Sequence, residues 1–193
     1  ELLPDETAQE IEDLPVFVMR QIAPELSRED RPIAAHILTA LTEDGLLGVP
    51  LAEIALYHHT PISSIQRIIR LIQRADPVGV GSPTPSEALL VQLEVLSETM
   101  SVPPLAAQAI QAGLELIRHH RLADLAHTLH ISLAQAHQIF EFISANLNPY
   151  PARAHWGDLI INRHAAPSNH DAYYTPDVVI SKLTDKIDTP LVV

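Results

Sequence analysis

The sequence predicts a mainly α protein built from two small helical subdomains with helix-turn-helix-like units, followed by an irregular carboxyl-terminal segment that holds a candidate β-hairpin. Three observations predict it. Isoleucines and leucines recur at i, i+3, i+4 and i+7 through most of the chain. Proline, glycine and capping residues punctuate that pattern at regular places. A short stretch, Leu51-Ala-Glu-Ile-Ala55, returns as Leu122-Ala-Asp-Leu-Ala126, 71 residues later.

The elements follow in order. Residues 1–15 are acidic, lack apolar periodicity and read as a linker. The spacing predicts a first helix over Val16–Leu26. Ser27 is suited to cap the next, with Glu29 and Asp30 in its first turn and Ile33, Ile37, Leu38 and Leu41 inward. Gly45 supplies the left-handed residue that stops it. Leu51–Ala55 is a short helix, and Thr60-Pro61 opens a longer one to Arg74, with Ile65, Ile68, Ile69 and Ile72 inward.

Residues 76–93 are the most specific part of the chain. Pro77 fixes its own φ and disfavours the α region at Asp76, so the helix ends. Gly79 and Gly81 permit positive φ. Thr84, Pro85 and Glu87 then form a capping-box start for a helix over 85–98. Another runs over 103–119, opened by Pro103 and Pro104. The repeat of the short helix follows, then a second capping box at Ser132 and Gln135, and Asn148-Pro149 as a second proline stop. These breakers divide the chain into 16–98 and 103–150. Residues 151–193 read as an extended loop, with strands proposed at Tyr173–Lys182 and Leu191–Val193. The chain stops mid-pattern, as a piece of a longer protein would.

Composition narrows function. There is no cysteine, which excludes disulfides, thiolate metal sites and a cysteine nucleophile. No apolar run approaches the roughly 20 residues of a membrane span, and no secretory signal is present, so no membrane partner and a cytoplasmic location are expected. The net charge is −12, with twelve acids against Arg20, Arg28 and Arg31 up to Glu53. Such a chain is repelled by phosphate, which favours a protein partner over free-standing DNA binding.

Within this acidic background Arg67, Arg70 and Arg74 fall on one face of a helix. They are candidates to touch an acidic partner surface. The second helix of the repeated unit offers Gln135, His137, Gln138 and Glu141, and no cation. Histidines at 119, 120, 127 and 130 lack a third converging ligand, so no metal or other cofactor is expected. His170-Asp171 lies in a Pro/Asn-rich loop, not on a helix. Gly79-Val-Gly81 is a turn, not a phosphate cradle. No nucleophile–base pair is specified, so the chain reads as a non-enzyme.

Residues 76–93 resemble the DP-x-GVG segment and following E-x-LLLQL of the bacterial sigma-54 family of RNA polymerase sigma factors. Other similarities come in the same order. The acidic start resembles the family's acidic second region, and residues 32–47 its helix ending in D-E-D-G-Y-L. Asn148-Pro-Tyr-Pro151 sits where the family has N-P-[KR]-P-G, and Tyr174-Thr-Pro-Asp-Val-Val179 resembles Y-I-T-P-D-V. The copy is divergent: the family's A-R-D-L-R-E is here Ser82-Pro-Thr-Pro-Ser-Glu87, and its basic residue and glycine in N-P-[KR]-P-G are Tyr150 and Ala152.

The resemblance implies the core-polymerase-binding region of a transcription initiation factor. Core RNA polymerase is the expected partner of this chain. Promoter DNA and an ATP-driven activator would be met through parts outside it. The residues expected at the polymerase are Arg67, Arg70, Arg74, Gln92 and Leu93, with Asp76, Pro77, Gly79 and Gly81 forming the motif turn. The competing reading is a helix-turn-helix regulator that binds DNA directly.

Overall fold

The computed structural model describes residues 12–155, 181–182 and 191–192. The chain divides into two units, 1–162 and 163–193. Among the described residues of the first are nine helices: α1 Leu14–Ile22, α2 Asp30–Thr39, α3 Leu51–Tyr57, α4 Ile62–Arg74, α5 Pro85–Ser97, α6 Ala106–Arg118, α7 Leu122–Leu129, α8 Leu133–Asn146 and α9 Pro151–His155. In the second unit β1 Ser181–Lys182 pairs antiparallel with β2 Leu191–Val192, Ser181 opposite Val192. That pairing joins the ends of the two proposed strands. The lone tryptophan, Trp156, which as a loop residue is expected to cover a core edge, lies outside the described residues, as do His170-Asp171 and Tyr173–Ile180.

Two hydrophobic clusters organise the first unit. One gathers Val18, Ile37, Ile54, Ile65, Ile68 and Ile72 from α1 to α4. The other gathers Leu89, Ile110, Leu125, Ile139 and Ile143 from α5 to α8. The isoleucines of α4 expected to point inward, Ile65, Ile68, Ile69 and Ile72, are all buried. Each such side chain contributes about 1.5–3 kcal/mol on leaving water. The division between cores falls between α4 and α5, so α5 belongs with the second cluster rather than with the first 16–98 stretch.

The two clusters are built by the same plan. Leu14 and Pro85, the first residues of α1 and α5, are 71 apart, and so are the starts of α3 and α7 and of α4 and α8. The repeat seen in the sequence therefore extends to the first, third and fourth helices of each copy, while the second helices, α2 and α6, start at Asp30 and Ala106, 76 residues apart. Buried partners match across it: Val18 with Leu89, Ile54 with Leu125, Ile68 with Ile139, Ile72 with Ile143. The corner between the third and fourth helices is superimposable in its hydrogen bonds. Thr60 N–H donates to Ala55 O and Ile131 N–H to Ala126 O, both at 3.0 Å. His59 and His130 occupy the left-handed region there, with φ of 49° and 53°.

Each copy is closed by a glutamine. The Gln21 amide donates to Asp76 O at 2.7 Å and accepts from Asp76 N–H at 2.9 Å. The Gln92 amide does the same to Asn148, at 2.7 Å in both directions. Gln21 and Gln92 are also 71 apart, and each grips the residue preceding a proline stop. A bidentate amide satisfies both backbone groups where the fourth helix has ended and no ladder partner remains.

Local structure departs from the sequence reading in five places. α1 begins at Leu14, within the expected linker, because Pro15 suits the first turn, and it ends at Ile22 before Pro24. Ser27 accepts from Asp30 N–H at 3.2 Å, but from a turn ahead of the helix: α2 starts at Asp30 with Glu29 in the N-cap position. Gly45 (φ 81°) does not terminate α2, which ends at Thr39; it turns the chain inside a loop closed by the Leu41–Leu47 bridge. α6 starts at Ala106, after Leu105 in the left-handed region, rather than at the prolines. Residues 151–155 form helix α9 instead of extended loop. α9 buries Ala152 in the first core, and Arg153 Nε donates to Asp44 Oδ1 at 2.9 Å.

Candidate docking surface on the fourth helix

The turn at 76–82 is the scaffold under this surface. The Asp76–Pro77 peptide is cis. Gly79, at φ 95°, sits so close to α5 that a Cβ would stand 2.9 Å from Ala88 O. Only glycine meets both conditions. Gly81 N–H donates to Gly45 O at 2.8 Å, Val80 and Ser82 are fully buried, and Leu47 N–H donates to Ser82 O. Thr84 caps α5 by accepting from Glu87 N–H at 3.2 Å. Asp76, Pro77, Gly79 and Gly81 thus join α4 to α1, α5 and the 42–48 loop; they hold surfaces in place.

Gln92 and Leu93, expected to face the polymerase, are buried. Gln92 closes the second copy and Leu93 packs in the second core. The E-x-LLLQL run is a packing signature in this chain, because its periodicity puts both residues on the inner side of α5.

The three arginines do share the outer face of α4, yet their surroundings differ. Arg67 Nη2 donates to Asp30 Oδ2 at 2.8 Å, and Ser27 Oγ donates to the same carboxylate at 2.6 Å. These bonds, Arg67's first, hold the Asp30 carboxyl below its ordinary range. Arg74 spans to α5, with Nη1 3.0 Å from Glu94 Oε1 and Nη2 on Glu98 Oε1. Arg70 is exposed and makes no hydrogen bond or ion pair among the described residues. Ile62, two turns before it, is 43% exposed.

The matching helix of the second copy gives this face a reference. Arg67, Arg70 and Arg74 correspond at the 71-residue offset to Gln138, Glu141 and Ala145. Glu141 pairs with His137 Nδ1 at 3.4 Å. Ser132 caps α8 with a complete capping box through Gln135. α8 therefore has the same geometry with no cation, a poor match for phosphate.

Two features were missed from the sequence. His36 Nδ1 lies 3.0 Å from His58 Nε2, with Tyr57 edge-on to both rings. Burial, and secondarily His36, push the His58 imidazole below its ordinary pKa. No local pattern pairs residues 22 apart, so this contact had no signal. The Gln21 clamp did have one, its 71-residue offset from Gln92. Of the histidines weighed as metal ligands, His119 is 3.6 Å from Glu115, His120 packs at a tilt against Phe140, and the His127 and His130 rings are 6.4 Å apart. Among the described residues no group of three or more histidine or acidic side chains converges on a metal position, and no helix is long and apolar enough to cross a membrane.

Comparison with known proteins shows the family of the chain. The sequence profile described as "Sigma-54 factor, core binding domain" matches residues 4–192. The RNA polymerase sigma-54 factor of Xanthomonas euvesicatoria is 36% identical over 159 residues, covering 80% of this chain and 31% of that protein. The RNA polymerase sigma-54 factor of Escherichia coli (strain K12) is 27% identical over 181 residues, covering 92% and 35% respectively. That of Sinorhizobium fredii is 34% identical over 96 residues, half of this chain. The chain spans about a third of the length of the first two relatives. The match of that profile over nearly the whole chain, with the DP-x-GVG turn inside it, places this chain in the sigma-54 factor core binding domain family.

Proposed function

We propose that the chain docks a sigma-54-type transcription initiation factor onto core RNA polymerase, and that the outer face of α4 is the contact. The observation that carries the reading is the row of three exposed or part-exposed arginines on α4, set in a chain of net charge −12 and absent from the otherwise equivalent α8. An acidic chain is steered toward a partner by the cations it does display. The turn at 76–82 and the clamp at Gln21 fix α4 against the rest of the first copy, so the helix backbone needs no ordering at binding. The chain's part is binding and involves no bond-making step. Promoter DNA and an ATP-driven activator are assigned to regions of a longer factor. Direct DNA reading by this chain is opposed by its overall charge and by the cation-free α8.

A pull-down with bacterial core RNA polymerase, with a primary sigma factor as competitor, tests the reading. Saturable binding that the competitor displaces is the expected result. Absence of binding by folded protein, shown by circular dichroism, would overturn it.

A further inference from the structure

We infer that docking is carried by one row of α4, Ile62–Gln66–Arg70, and not by the three arginines equally. The inference rests on the docking reading above and names the residues within that site. Four observations converge. Arg67 and Arg74 already have carboxylate partners in their own chain, Asp30 for one and Glu94 with Glu98 for the other. A partner protein must displace those contacts before it can use either cation. Arg70 has nothing to displace.

Ile62, Gln66 and Arg70 are spaced i, i+4, i+8, so they form one stripe about 12 Å long at 1.5 Å per residue. The stripe begins with an exposed large apolar side chain and ends with an unpaired guanidinium. That is the chemistry of an interface hot spot, an apolar anchor beside an arginine.

The second copy shows that the fold does not ask for this cation. The same stripe on α8 is Leu133, His137 and Glu141, and the helix stands with Leu133 59% exposed and the charge inverted. The buried positions of the copies agree, whereas Arg70 and Glu141 differ in sign. Arg70 is therefore the position on the stripe where surface chemistry is set independently of folding. The occupant is an acidic face of core RNA polymerase, with an apolar pocket about one stripe length from a carboxylate.

The test is equilibrium binding of the fluorescently labelled chain to bacterial core RNA polymerase, at fixed salt, for the wild type and single variants. R70E, which places the second copy's residue in the first, is expected to weaken binding about tenfold or more, and I62S by a similar factor. R67Q and R74A are expected to change affinity less than about threefold. R70A separates lost attraction from added repulsion and is expected to fall between wild type and R70E. Urea midpoints measured on the same samples confirm folding.

Wild-type binding that R70E leaves unchanged would overturn the inference while sparing the docking reading. So would R67Q or R74A weakening binding as much as R70E. Failure of the wild type to bind would overturn both.

Discussion

The two copies of the four-helix plan differ in what they do with the same architecture. In both, α3–α4 and α7–α8 meet at a corner with a left-handed histidine and matched hydrogen bonds. In both, a glutamine on the first helix closes the bundle onto a proline stop. The first copy then presents arginines on its fourth helix, and the second presents Gln138, Glu141 and Ala145. Shared interior and unlike exterior separate what the fold needs from what a partner could read. Burial fixes the first set, because a cavity costs several kcal/mol. Solvent leaves the second set free to vary, because exposed substitutions seldom cost more than about 0.5 kcal/mol.

The largest effects should come from breaking what the copies share. Ile54 and Leu125 are equivalent and fully buried. Ile54→Ala and Leu125→Ala should each cost about 2–5 kcal/mol, read from urea unfolding by far-UV circular dichroism. A negligible cost at either position would remove it from the common core.

The glutamine clamps come next and should be unequal. Gln92 is buried, so Gln92→Ala strands both backbone groups of Asn148 and should cost about 2–4 kcal/mol. Gln21 is more open, and water can replace its amide, so Gln21→Ala should cost about 1 kcal/mol. The same unfolding experiment ranks them. Equal losses would mean that burial does not distinguish the clamps.

A smaller difference should appear with pH. The His36–His58 pair belongs to the first copy, and the second has Leu129 at the position of His58. An unfolded histidine titrates near 6.5, and folded His58 titrates lower because burial penalises its charged form. The unfolded state therefore binds more protons in that window, and stability present above about pH 6.5 is lost as pH falls through the folded value. Asp30, also held low, adds a further loss as pH falls below about 4. Urea midpoints should decrease between pH 7.5 and 5.5 in the wild type and less so in His58→Leu, the second copy's residue. An identical pH dependence in the two would exclude His58 as the source.

The smallest expected effect on stability is that of Arg74→Ala. Its bonds to Glu94 and Glu98 are exposed, and solvent screening leaves such pairs only a marginal contribution. A loss well above that would make Arg74 a structural tie between the copies.

Much of this was legible in the chain. The helical periodicity of Ile65, Ile68, Ile69 and Ile72 located α4 and its inner face, and Pro77 and Pro149 located where the fourth helices end. The row of arginines followed from spacing alone. What the sequence did not show was partnership. Arg67, Arg70 and Arg74 look alike in a helical wheel, and only the fold brings Asp30 to one and Glu94 to another. Gln92 and Leu93 were expected at the polymerase from the resemblance, and a motif carries no information about which side of α5 is buried. The weak identities of the repeat hid its first helix, where Val18 and Leu89 share a role but not a residue type.

The most direct test exchanges the outer faces of α4 and α8 between the copies. One variant carries R67Q, R70E and R74A; the other carries Q138R, E141R and A145R in an otherwise native chain. Binding to core RNA polymerase is measured for both against wild type, with urea midpoints as the control for folding. The account predicts that the first variant loses binding while remaining folded, and that the second binds as the wild type does. Undiminished binding by the first variant would contradict the claim that α4 is the docking surface.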